Sequence, residues 1–106
     1  MIDTLAIDIG GTKIDAARVD GDGRILERYR LPTEGANAEE LFAGLVALVE
    51  PLLAGGALGG CGVGCGGPMT SGGEEVSPLN IPQWRSFPLR ARLAERLDMP
   101  VVVDND

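Results

Sequence analysis

The sequence predicts an α/β domain on a mixed five-stranded sheet in the order βββαβαβ, and three observations carry that expectation. Apolar residues alternate with period two near the start of the chain, an Asp-Gly reversal separates two further strand-like stretches, and two amphipathic helical segments each precede a short apolar run. Two right-handed crossovers would then place the fourth and fifth strands parallel to the first.

Leu5, Ile7 and Ile9 alternate with Ala6 and Asp8, so the first strand ends near Asp8, on the face opposite the isoleucines. Gly10-Gly11 turns the chain. Residues 13–20 hold Ile14, Ala16, Ala17 and Val19 in no helical stripe and read as a second strand. Asp20-Gly21-Asp22-Gly23 supplies the positive φ angles of a tight reversal, leading into a third strand over 24–31 that Pro32 ends. Asn37 and Glu40 form a capping box ahead of the stripe Leu41, Leu45, Leu48, Val49 and Leu52. Pro51 removes one backbone donor and is expected to kink or end this helix near Glu50.

After a loop over 55–60, residues 61–65 are apolar with interleaved glycines, as in a buried strand that another backbone approaches closely. The strand runs into Gly66-Gly67-Pro68. Residues 69–84 mix Gly72, Gly73, Pro78 and Pro82 with polar side chains and read as an excursion with a short strand at 75–77, the kind of segment that carries ligand contacts. Phe87-Pro88 opens a second helix with the proline where its missing amide costs nothing. Leu89, Leu93 and Leu97 stack on one side while Arg90, Arg92 and Arg96 face away, and Pro100 stops the helix. The apolar residues 101–103 suit a strand covered on both faces. Asp8, Gly66 and Asp104 to Asp106 then share the C-terminal edge of parallel strands, where open α/β sheets bind ligands.

A chain of 106 residues forms one small domain, residues 1–106, with no room for a second nucleotide-binding lobe. The net charge of -7 argues against nucleic-acid binding through counterion release, since no basic group is denser than Arg90, Arg92 and Arg96. No basic-flanked apolar leader and no run of membrane-spanning length occur, so a cytoplasmic protein without a membrane partner is expected. Cys61 and Cys65 would lie about 13 Å apart on one strand face, too far for a disulfide, and read as small core residues. With no histidine, this segment offers no zinc site. Lys13 is the only lysine among nine basic residues, and it adjoins the glycine turn.

Gly10-Gly11-Thr12-Lys13 is neither a Walker A loop nor a dinucleotide fingerprint, because a strand follows it instead of a helix. A hairpin can still point successive amides at one anion, with the Lys13 ammonium beside it as a point charge. Asp8 could hold a magnesium ion through water, since that ion keeps several waters and needs few protein carboxylates. Asp106 suits a general base toward a hydroxyl, with the Asn105 amide able to donate to and accept from a polyol. Together these features suggest phosphoryl transfer from a nucleotide to an alcohol.

Five blocks in register, Asp8-Ile-Gly-Gly-Thr-Lys13, Gly62-Val-Gly-Cys-Gly-Gly-Pro68, Ser77-Pro-Leu-Asn-Ile-Pro-Gln-Trp84, Phe87-Pro-Leu-Arg90 and Pro100-Val-Val-Val-Asp-Asn-Asp106, resemble the N-terminal lobe of ROK-family sugar kinases. That family is the glucokinase-like branch of the ribonuclease H-like, actin-like ATPase fold. The resemblance implies magnesium-ATP-dependent phosphorylation of a hexose or N-acetylhexosamine. Asp8, Gly10, Gly11, Thr12 and Lys13 would then serve the nucleotide phosphates, with Asp8 holding Mg2+ via water. Gly67, Asn80, Asn105 and Asp106 would bind the sugar, with Asp106 as catalytic base.

Family kinases continue into a second lobe carrying the adenosine site, further sugar contacts and a zinc motif. The chain therefore reads as an N-terminal lobe with little or no kinase activity by itself, any Zn2+ belonging to the other lobe. In the full-length protein the resemblance implies a homo-oligomer. A non-catalytic sugar-sensing regulatory module of the same family is the alternative, and polyphosphate in place of ATP as donor stays open.

Overall fold

The computed structural model describes residues 2–105, so Asp106 lies outside the described residues. Its elements are β1 (Asp3–Ile9), β2 (Lys13–Val19), β3 (Ile25–Pro32), α1 (Ala38–Leu53), β4 (Leu58–Cys65), a single 3-10 turn at Ser71–Gly73, α2 (Leu89–Leu97) and β5 (Val101–Asn105). The five strands form one sheet in the order β3-β2-β1-β4-β5. β1, β2 and β3 pair antiparallel, while β4 runs parallel to both β1 and β5, as the crossover argument requires.

Both connections to parallel strands step in the same direction across the sheet, so right-handedness places α1 and α2 on the same face. Leu5, Ile7, Ile9, Ile14, Cys61, Val63 and Val103 point into the core beneath the helices. The helices supply Leu41, Phe42, Leu45, Val49, Leu89 and Leu93. On the opposite face Thr4, Ala6 and Asp8 are exposed, and Val102 is 67% exposed. The expectation that β5 is covered on both faces is therefore overturned: the strand is covered on the Val103 face only. Cys61 and Cys65 are both buried, and burial pushes the Cys61 thiol up to about 12.

Asn37 caps α1 as a complete box: its side chain accepts from the Glu40 amide at 2.9 Å, and Glu40 accepts from the Asn37 amide at 3.0 Å. Contrary to expectation, α1 does not stop near Glu50 but runs through Pro51 to Leu53. The missing Pro51 donor leaves only the Ala47 carbonyl without its helical partner, and Ala47 sits on the exposed side, where water can serve it. β4 begins at Leu58, inside the stretch expected to be loop, because its pairing with β1 starts at Asp3↔Leu58. The anticipated strand at 75–77 is reduced to isolated bridges from Val76 to Met69 and to Phe87. Pro88 is the N-cap of α2, one residue earlier than a first-turn proline.

Arg18 looks in the sequence like an ordinary strand residue, but its guanidinium is 5% exposed and ties the end of β1 and β2 remote from Gly10–Gly11 to the end of α1. It donates to Asp3 Oδ2 at 2.8 Å, to the Leu52 carbonyl at 2.8 Å, and to the Gly56 and Ala57 carbonyls at 3.1 and 3.2 Å. The Leu52 carbonyl in the last turn of α1 and two carbonyls of the loop after it thereby gain a charged donor.

Candidate active site

The β1–β2 hairpin, the loop after β4 and the excursion turn meet at one end of the sheet. Gly10 N–H donates to the Lys13 carbonyl at 2.9 Å, closing the hairpin at its narrowest point. Neither Gly10 nor Gly11 has a positive φ, so their role is space and not a left-handed backbone. A Cβ on Gly10 would lie 3.2 Å from the Lys13 carbonyl oxygen, and one on Gly11 would lie 2.6 Å from Asn80 Cβ. The excursion turn thus rests directly on the hairpin, and Gly11 is the residue that admits it.

The Asn80 turn is fixed from behind. Arg85 Nη1 donates to the Pro78 and Ile81 carbonyls, each at 3.0 Å. Buried Trp84 stacks on Phe87 with ring centroids 4.7 Å apart, and its Nε1 donates to the Ala38 carbonyl at 3.2 Å. Asn80 itself is exposed on this rigid support.

Two clefts of about 270 and 460 Å³ adjoin at Gly11 and Asn80. The smaller lies between Gly10-Gly11 and Gly66-Gly67, with Pro78 to Ile81 as its third wall. The larger opens toward Thr12, Thr33, Glu34 and Gln83. Asn80 and glycine backbone offer polar groups to both, and Thr12 and Gln83 add theirs to the larger, a few donors and acceptors set in otherwise apolar walls as in small-molecule clefts. Gly67 again makes room: a Cβ there would stand 3.0 Å from Asn105 Nδ2. Asn105 pairs with Cys65 at the end of β5 and turns over this loop.

Asp8 closes β1 on the open face, its carboxylate exposed and in no ion pair with a described residue. It pairs in register with Gly64, which pairs with Asp104, so the two carboxylates flank a glycine in one row. Two strand spacings separate their backbones by about 10 Å. Among the described residues no group of three or more acidic, cysteine or histidine side chains could enclose a metal. The Asp8 carboxylate beside the glycine hairpin does fit magnesium, an ion held by one or two carboxylates together with substrate phosphates and water.

The structure therefore brings Asp8, Gly10, Gly11, Thr12, Lys13, Gly67, Asn80 and Asn105 to one end of the sheet, while the predicted base Asp106 lies outside the described residues. Sequence reasoning missed Thr33 and Gln83. Thr33, 3% exposed, donates through Oγ1 to the Gly11 carbonyl at 2.8 Å and through its amide to the Thr12 carbonyl at 3.0 Å. Gln83 Nε2 donates to the Thr33 and Ala36 carbonyls at 2.9 and 3.1 Å. The only sequence signal was the Pro-Thr pair ending a strand, which has many other uses.

Residues 4–106 match the sequence profile of the ROK family. The chain is 34% identical over 103 residues to a glucokinase of Streptomyces coelicolor, covering 97% of this chain and 32% of that protein. It is 38% identical over 107 residues to an N-acetylmannosamine kinase of Escherichia fergusonii, covering 97% of this chain and 35% of the relative. The fold superposes with a TM-score of 0.85, at 36% identity, on a crystal structure of a ROK family glucokinase from Streptomyces griseus in complex with glucose and AMPPNP. That match covers 97% of this chain and 33% of the solved one. The chain thus spans about a third of the length of the relatives it matches. With a profile match over nearly every residue and the same α/β lobe of the actin-like ATPase fold, the chain belongs to the ROK family.

Proposed function

We propose that this lobe supplies the phosphate hairpin, part of the sugar cleft and the catalytic base of a kinase that transfers the γ-phosphoryl of ATP to a hydroxyl of a hexose or N-acetylhexosamine. The observation that carries this reading is the meeting of an amide-bearing hairpin with an amide- and hydroxyl-lined cleft across Gly11 and Asn80. Donor and acceptor substrates would then share one wall. The relatives named glucokinase and N-acetylmannosamine kinase support the substrate class.

Phosphoryl transfer asks for positioning and charge stabilisation, with little covalent chemistry from the protein. The Thr12 and Lys13 amides and the Lys13 ammonium would take the phosphate oxygens. Asp8 would hold a hydrated magnesium ion, which supplies neutralisation of charge on the transferring group. Asn80, Asn105 and the Gly67 backbone would orient the sugar, and Asp106 would accept the proton of the attacking hydroxyl.

The test is ADP release by the native full-length protein with magnesium-ATP and a panel of glucose, N-acetylmannosamine, N-acetylglucosamine and fructose, with polyphosphate as a parallel donor. Release that depends on one sugar identifies the acceptor. Sugar binding without release from any donor would overturn the kinase reading in favour of a sugar-responsive regulatory module.

A further inference from the structure

Every peptide bond at the β1–β2 hairpin is trans, and a trans peptide points its N–H opposite to its C=O. The Gly11 and Thr12 carbonyls are both bonded to Thr33, one by its hydroxyl and one by its amide. The amides that follow those carbonyls, Thr12 N–H and Lys13 N–H, are therefore turned away from β3 and across the hairpin mouth toward Gly10. The turn is open there: Gly10 N–H donates to the Lys13 carbonyl, while the reciprocal bond from Lys13 N–H to the Gly10 carbonyl is not made.

We infer that Thr33 is a positioning residue for phosphate binding, which rests on the kinase reading above and names what aims the hairpin. Thr33 touches no phosphate itself. It fixes two successive peptide planes so that the Thr12 and Lys13 amides converge on one anion before the anion arrives. Glycines at positions 10 and 11 leave this hairpin with little intrinsic stiffness, so an outside clamp is needed. Thr33 is in turn held by Gln83, whose Nε2 bonds the Thr33 and Ala36 carbonyls and ties the clamp to the excursion that carries Asn80. Preorganised donors contribute to catalysis because they need no rearrangement when charge develops.

The experiment uses the native full-length protein, with AMPPNP affinity and sugar affinity measured separately by calorimetry. Thr33→Val keeps the size and the amide but removes the hydroxyl, leaving the Gly11 carbonyl free to turn. It should weaken AMPPNP binding about tenfold, the scale of one lost buried hydrogen bond, and weaken sugar binding less than nucleotide binding, since Thr33 also borders the larger cleft. Thr33→Ser should restore nucleotide binding. Equal nucleotide affinity in the valine variant, or a parallel loss of sugar and nucleotide binding, would overturn the assignment, as would failure of serine to rescue.

Amide NMR of the wild type gives a second readout that needs no variant: the Thr12 and Lys13 N–H resonances should move on adding AMPPNP. Their indifference would also refute the inference. A wild type that binds AMPPNP yet phosphorylates no sugar would sink the kinase reading alone, whereas one that binds no nucleotide would sink both.

Discussion

Gly11→Ala is the sharpest perturbation the structure offers. The added Cβ would sit 2.6 Å from Asn80 Cβ and 3.3 Å from its Cγ, where ordinary contact begins at 3.4 Å, so the hairpin and the turn must part by about 0.8 Å. Rotation of the Asn80 side chain cannot relieve this, because Cβ rides on the backbone and Arg85 clamps that backbone from the far side. Overpacking of this kind costs about 1–3 kcal/mol. Activity should suffer more, because a misplacement near 1 Å between reacting groups can lower the rate about 100-fold. We expect the full-length Gly11→Ala protein to melt a few degrees lower and to lose about two orders of magnitude in kcat/KM. Gly66→Ala is the stability control: nothing lies within 4 Å of where its methyl group would stand, and its melting temperature should not change. Adding Asn80→Gly to Gly11→Ala should recover the melting temperature without recovering sugar affinity. A Gly11→Ala protein with wild-type melting and kinetics would refute the claim that hairpin and turn are in contact.

Arg18→Ala should destabilise the protein by about 3 kcal/mol in denaturant titration, because it strands Asp3 and three carbonyls that the guanidinium now serves. Asn37→Ala removes the cap of α1 and should cost about 1 kcal/mol by the same titration, with activity unchanged. Hydrogen bonds from Arg92 hold the exposed Glu39 carboxyl below its ordinary value. Such a group adds stability above the ordinary glutamate range and loses it as pH falls through the depressed value. The melting temperature of Glu39→Gln should therefore fall less steeply with acid than that of the wild type, and the difference should shrink in high salt.

Much of this molecule is legible in the sequence because local and global cues agree. The alternation at Leu5, Ile7 and Ile9 sets both the strand and its buried face, and the Asn37–Glu40 box sets the start of α1. The Asp-Gly reversal and the crossover rule do the rest of the topology. What stays hidden depends on partners far away along the chain. Arg18 gains its role from carbonyls 34 to 39 residues later, and Gln83 from carbonyls 47 and 50 residues earlier. Pro51 resembles a stop because sequence does not show which side of the helix carries the orphaned carbonyl. The glycines at 10 and 11 suggest room made for phosphate, yet the structure fills the space at Gly11 with Asn80. Nothing in the glycine pair alone says which neighbour approaches.

The most direct measurement compares full-length wild type with Asp106→Asn for sugar binding and for sugar-dependent ADP release. A general base contributes to the transition state far more than to ground-state binding, which is the role proposed for Asp106. The account predicts that sugar affinity survives in the variant while release falls by about 100-fold or more. Release at the wild-type rate from Asp106→Asn would contradict it.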